Sequence, residues 1–133
     1  MRKRVLSACL TAAIALGAPG AGTLTARAAG AGIGADQDAR SVAKAQVEFG
    51  IEVARKKLWR EAVYRFEKAV ETDPTYAPAW NNLAIAYEQQ GNFNDANKAY
   101  MKAVELEPNN MLIRQNYDLF KEIYDRLSRR TGR

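Results

Sequence analysis

The sequence has no histidine, and its one cysteine, Cys9, lies close to the N-terminus. The first absence removes the usual general base near neutral pH and the commonest metal ligand. The second excludes an internal disulfide and a cysteine-rich zinc site. Serine is scarce as well. Beyond residue 28 only Ser41 and Ser128 remain, both near the ends of expected helices, so a serine nucleophile with a supporting base has no basis here. Glu48, Glu52, Glu88 and Glu122 are the acids left for catalytic work, and their spacing reads more simply as a solvated helix face. The expectation is a protein without catalytic residues, metal or cofactor.

A strong field of one sign is also missing once the chain is divided. The formal charge of +5 is concentrated at the start, where Arg2, Lys3, Arg4 and Arg27 precede the first acid, Asp36. Without residues 1–28 the chain holds 16 basic against 15 acidic side chains. So balanced a domain has no bulk potential to draw in nucleic acid or anionic lipid. The one remaining basic cluster is Arg126, Arg129, Arg130 and Arg133, which fits a solvated last helical turn complementing the helix dipole.

Residues 1–28 read as a signal peptide. Arg2, Lys3 and Arg4 form a positive start, Val5 to Leu16 a short apolar run, and Gly17, Pro19 and Gly20 a break. Ala26 and Ala28 place small residues before a cleavage point between Ala28 and Ala29. A run of this length is short of the about 20 apolar residues that span a bilayer. This predicts a periplasmic or secreted protein. Two alternatives stand beside it. Leu6-Ser7-Ala8-Cys9 resembles a lipobox, which would make the chain a membrane-anchored lipoprotein through Cys9, and the arginines without acids fit an organelle transit peptide. Contact with a membrane is expected only through an uncleaved or lipidated N-terminus. Residues 29–38, rich in glycine and alanine, read as a flexible linker.

From residue 43 onward the chain repeats itself with a period of 34. Ala62 falls on Ala96, Phe66 on Tyr100, Lys68-Ala69-Val70-Glu71 on Lys102-Ala103-Val104-Glu105, and Pro74 on Pro108. Helix pairs are expected at about 39–56 with 59–72 and at 77–90 with 93–106. Gly50, Ala84, Ala62, Ala96, Ala69 and Ala103 let helices approach, while Phe49, Leu83, Tyr87, Phe66 and Tyr100 fill the spaces. Gly91 ends one helix, Asn92 with Asp95 three residues on reads as a cap for the next, and Asn109 or Asn110 starts the last. In residues 111–129 the apolar side chains Ile113, Tyr117, Phe120, Tyr124 and Leu127 lie on one helix face, as a capping helix requires.

The pattern Trp80-x-x-Leu83-Ala84-x-x-Tyr87, then Ala96-x-x-x-Tyr100, Ala103 and Pro108 resembles the tetratricopeptide repeat (TPR) family. The first unit departs from it: Gln46, Val53 and Lys57 stand where Trp80, Tyr87 and Gly91 stand in the second. The resemblance implies an all-α helical-hairpin solenoid over 39–130, with repeat 1 at 43–76, repeat 2 at 77–110 and the capping helix at 111–129.

It also implies a concave groove, lined by the first helix of each pair, that takes a protein or peptide. Carried over by position, the groove residues are Ile51, Asn81, Asn82, Ile85, Gln89, Gln115, Asn116 and Leu119, with Ile123 extending the floor. Aliphatic side chains would anchor a guest, and amides would bond its main chain. The aliphatic row is equally read as partly buried between neighbouring helices. Some family members clamp a terminal carboxylate, but of the five positions only Asn82 matches; Val47, Ile51, Leu112 and Asn116 occupy the others. Self-association through Leu112, Leu119 and Ile123 is a further reading, which would make the chain a homo-oligomer.

Overall fold

The computed structural model describes residues 31–132, with side chains from Gly34 onward. The signal-peptide reading of 1–28 therefore lies outside the described residues. The described residues form five helices: α1 Ala31–Arg55, α2 Trp59–Thr72, α3 Ala77–Gln89, α4 Phe93–Leu106 and α5 Met111–Arg130. Each packs on the next, and α1 and α5 also touch α3. This is an all-α helical solenoid of two hairpins closed by a single helix.

Small residues at the crossings make this possible. Ala43, Ala62, Ala69, Ala77, Ala84, Ala96 and Ala103 are fully buried. Gly50 is the tightest crossing, since a Cβ there would lie 2.5 Å from Cε1 of Phe66. The large side chains fill what the small ones leave. Tyr100 and Phe120 are the largest fully buried ones, their rings 5.0 Å apart, and Trp80 and Tyr87 pack against the same core. Partly buried hydroxyls find acceptors: Tyr87 donates to Glu67 at 2.6 Å and Tyr100 to Glu88 at 3.0 Å.

The two hairpin turns are built alike. Leu58 N donates to Val53 O, as Asn92 N donates to Tyr87 O 34 residues later. Both need a left-handed residue, supplied by Gly91 at φ 77° and by Lys57 at φ 60°. Asn110 caps α5 through bonds from Leu112 N and Ile113 N. Asn92 does not cap α4 in that way. Its side-chain amide donates to Asp95 instead, leaving no side-chain oxygen on the helix amides.

Two further expectations require correction. Residues 31–38 are helical rather than a linker, so α1 starts well ahead of 39. Alanine carries the helix past its glycines. Arg40 fastens the extension to the α2–α3 turn by an ion pair to Asp73 and a bond to Thr75 Oγ1. Phe49 was expected to fill the interior like Leu83. Leu83 is 3% exposed, whereas Phe49 is 50% exposed. The difference lies in the neighbours: α2 packs on the face of α3, and no described helix takes that place on α1. Arg65 lies over the Phe49 ring at 4.4 Å and covers part of it.

Candidate functional site: the inner face of α1, α3 and α5

The expected groove residues fall into three groups. Ile51 and Ile85 are half-buried and packed against the core, which favours the structural reading of those two positions. Asn81 is buried at 6% exposure, and its Oδ1 accepts from Asn116 Nδ2 at 3.1 Å. Asn82 Nδ2 donates to Pro78 O at 2.8 Å. Leu119, Gln89 and Gln115 are exposed.

Sequence position alone made these residues equivalent, and the structure grades them. Valine at position 47 becomes asparagine at 81, and that asparagine bonds across to α5 rather than edging the groove for a guest. The surface open to a guest is concentrated on α5. Leu112 is 64% and Leu119 57% exposed, and Ile123 lies on the same side of the helix. Gln115 on the same helix is an exposed amide with donors and an acceptor, and Gln89 is exposed at the end of α3, near Trp59 and Arg60 of α2.

Of the four acids set aside above, Glu88 accepts from Tyr100 and Glu52 from Arg55. Among the described residues no group of three or more acids, cysteines or histidines could hold a metal ion. No described helix is long and apolar enough to cross a membrane. The buried tyrosines are tuned for structure. Burial, reinforced by the acceptor carboxylates, lifts Tyr87 and Tyr100 well above the usual tyrosine range.

The Arg40–Asp73 contact was missed by sequence reasoning. Burial pushes the Asp73 carboxyl up, but hydrogen bonds from Arg40 and Thr75 outweigh it and hold the group below the usual carboxylate range. Asp73 also sits in a local turn, accepting from Thr75 N at 3.0 Å and Thr75 Oγ1 at 2.7 Å. The Asp-Pro-Thr turn was a visible signal, but its partner lies 33 residues upstream, at the start of the expected first helix.

Comparison with known proteins agrees with this architecture. The tetratricopeptide repeat pattern matches residues 77–110, and a second TPR repeat pattern matches 56–91. The chain is similar to the chloroplastic tetratricopeptide repeat domain-containing protein PYG7 of Arabidopsis thaliana, at 32% identity over 87 residues. That match takes in 65% of this chain and 29% of the relative. An uncharacterized protein of Methanocaldococcus jannaschii is 33% identical over 58 residues, covering 44% of this chain and 67% of its own length. The Arabidopsis OM64 TPR domain superposes with a TM-score of 0.61 at 20% identity, covering 66% of this chain and 73% of that one. Such repeats are in general protein–protein interaction modules on a typically non-catalytic scaffold. The helices, their packing and the matched patterns together place the chain in the tetratricopeptide repeat family.

Proposed function

We propose that the chain is a protein-interaction scaffold of the bacterial cell envelope, without catalytic activity, that takes a peptide or partner segment on the inner face of α3 and α5. The observation that carries this reading is the exposed aliphatic strip of Leu112, Leu119 and Ile123 on α5, with the exposed amide Gln115 on the same helix. An aliphatic strip anchors side chains, and amides serve the main chain of an extended guest. Two repeats make a short surface, which suits a short segment. Export rests on the basic start, apolar run and small-residue cleavage point of residues 1–28.

The test is capture of partners from envelope extract with the full chain and with Leu119→Asp. The reading expects specific partners to be lost with the variant while helix content is kept. Equal capture by both chains would overturn the groove assignment.

A further inference from the structure

The two hairpin turns share a backbone path and differ in chemistry. Residues 55–60 read Arg-Lys-Lys-Leu-Trp-Arg, and residues 89–94, one period later, read Gln-Gln-Gly-Asn-Phe-Asn. Four cations stand where the second turn has amides and a glycine. The fold does not ask for them. α3 ends with no basic residue in its last turn, and its turn closes with the same kind of bond, Asn92 N to Tyr87 O. Two residues of the first turn also carry a cost. Lys57 holds the left-handed conformation. Leu58 stands at the N-cap of α2, where it cannot accept from the helix amides, and is 55% exposed. Local rules broken side by side at an exposed turn point to a contact made there.

Lys56, Lys57 and Arg60 are exposed around Leu58, and Trp59 is half-buried against the core. Among the described residues only Arg55 of the four cations meets a carboxylate, Glu52 at 2.6 Å. The nearby acids are engaged elsewhere: Glu61 with Arg65 at 2.8 Å, Asp95 with Lys98 at 2.9 Å, and Glu88 with Tyr100. A shallow cleft lined by Lys57, Trp59, Arg60, Gln89 and Gln90 joins the first turn to the second. Another joins Asn92 and Asn94 to Ser128 and Thr131 at the end of α5. The two turns and the end of α5 thus form one edge of the solenoid. Arg129 and Arg130 lie at its far side, with Asp125 one turn before Arg129. The near balance of charge over the whole chain hides this local excess.

Cations alone would suit any anionic partner. The exposed leucine among them selects a surface with an apolar layer beneath its charge. A projecting turn also fits a plane better than it fits the main chain of an extended peptide. We propose that this edge docks on an anionic lipid surface, with the cations on the phosphates and Leu58 at the acyl boundary. The contact is separate from the inner face of α3 and α5, and its test needs no guest there.

The two tryptophans lie at opposite edges, Trp59 in this turn and Trp80 bonded to Pro74 O at the α2–α3 turn. Quenching by brominated acyl chains therefore reports which edge meets the lipid, whatever residues 1–28 do. In the full chain carrying Trp80→Phe, vesicles of brominated phosphatidylglycerol should quench Trp59, and vesicles of brominated phosphatidylcholine should not. In the chain carrying Trp59→Phe, Trp80 should stay unquenched by both. Lys57→Gly, Leu58→Asn and Arg60→Asn each install the residue of the second turn, so circular dichroism should report unchanged helix content. Lys57→Gly and Arg60→Asn should each weaken docking about fivefold, and Leu58→Asn about tenfold. Lys57→Gly separates docking from folding, since it removes backbone strain while it weakens the contact. Quenching that is absent, or equal for the two tryptophans, would overturn the proposal. So would docking indifferent to Leu58→Asn. Turn-dependent binding of heparin without binding of the vesicles would overturn it as well, and would mark a soluble acidic partner instead.

Discussion

Asn116 on α5 donates its side-chain amide to the buried Asn81 on α3 at 3.1 Å, and so joins the capping helix to the first helix of repeat 2 across the inner face. Position 47, one period before Asn81, is a buried valine, so an apolar residue fits this site when no partner asks for a bond. Asn116→Ala should leave the Asn81 carbonyl buried and unpaired and cost about 1–3 kcal/mol. The double variant Asn81→Val with Asn116→Leu should recover much of that. Thermal unfolding of the four chains in a double-mutant cycle measures the coupling.

Lys57 takes the left-handed position that Gly91 takes in the second hairpin. A side chain there costs about 1–2 kcal/mol against glycine. Lys57→Gly should raise the melting temperature, and Gly91→Lys should lower it. Both are read by the same calorimetric scan.

Gly50 has no room for a methyl group beside the Phe66 ring. Gly50→Ala should destabilise by about 1–3 kcal/mol through overpacking. Adding Phe66→Leu should relieve the clash, so that Gly50→Ala costs less in that background. Denaturant midpoints of the single and double variants check this.

Tyr87 and Tyr100 resist ionisation in the folded chain because burial and the facing carboxylates Glu67 and Glu88 disfavour the phenolate. A pKa raised by folding means stability that is whole below the unfolded value and is lost as pH climbs above it. Unfolding free energy should therefore fall from about pH 10 upward. Tyr100→Phe should flatten that fall, and alkaline denaturation followed at 222 nm measures it.

What the sequence disclosed and what it hid follow from range. The 34-residue shift and the proline and glycine breaks placed α2, α3, α4 and α5 within a residue of their observed ends, because those signals are local. Phe49 and Leu83 occupy the same repeat position, yet one is half exposed and the other buried, since burial depends on the neighbouring repeat rather than on the residue. Asn81 was legible as an amide on the inner helix. That its oxygen is taken by Asn116, 35 residues away, was not. The early start of α1 escaped because its anchor is the distant ion pair of Arg40 with Asp73.

Binding of a guest on the inner face of α3 and α5 is the proposal on which the functional reading stands. The most direct measurement is a titration of peptides, selected by display on the full chain, against that chain, Leu119→Asp and Met101→Asp. Met101 is an exposed residue of α4, outside the inner face. Leu119→Asp should weaken binding about tenfold or more while Met101→Asp leaves it unchanged, with helix content equal in all three. Unaltered binding by Leu119→Asp, or loss with Met101→Asp alone, would contradict it.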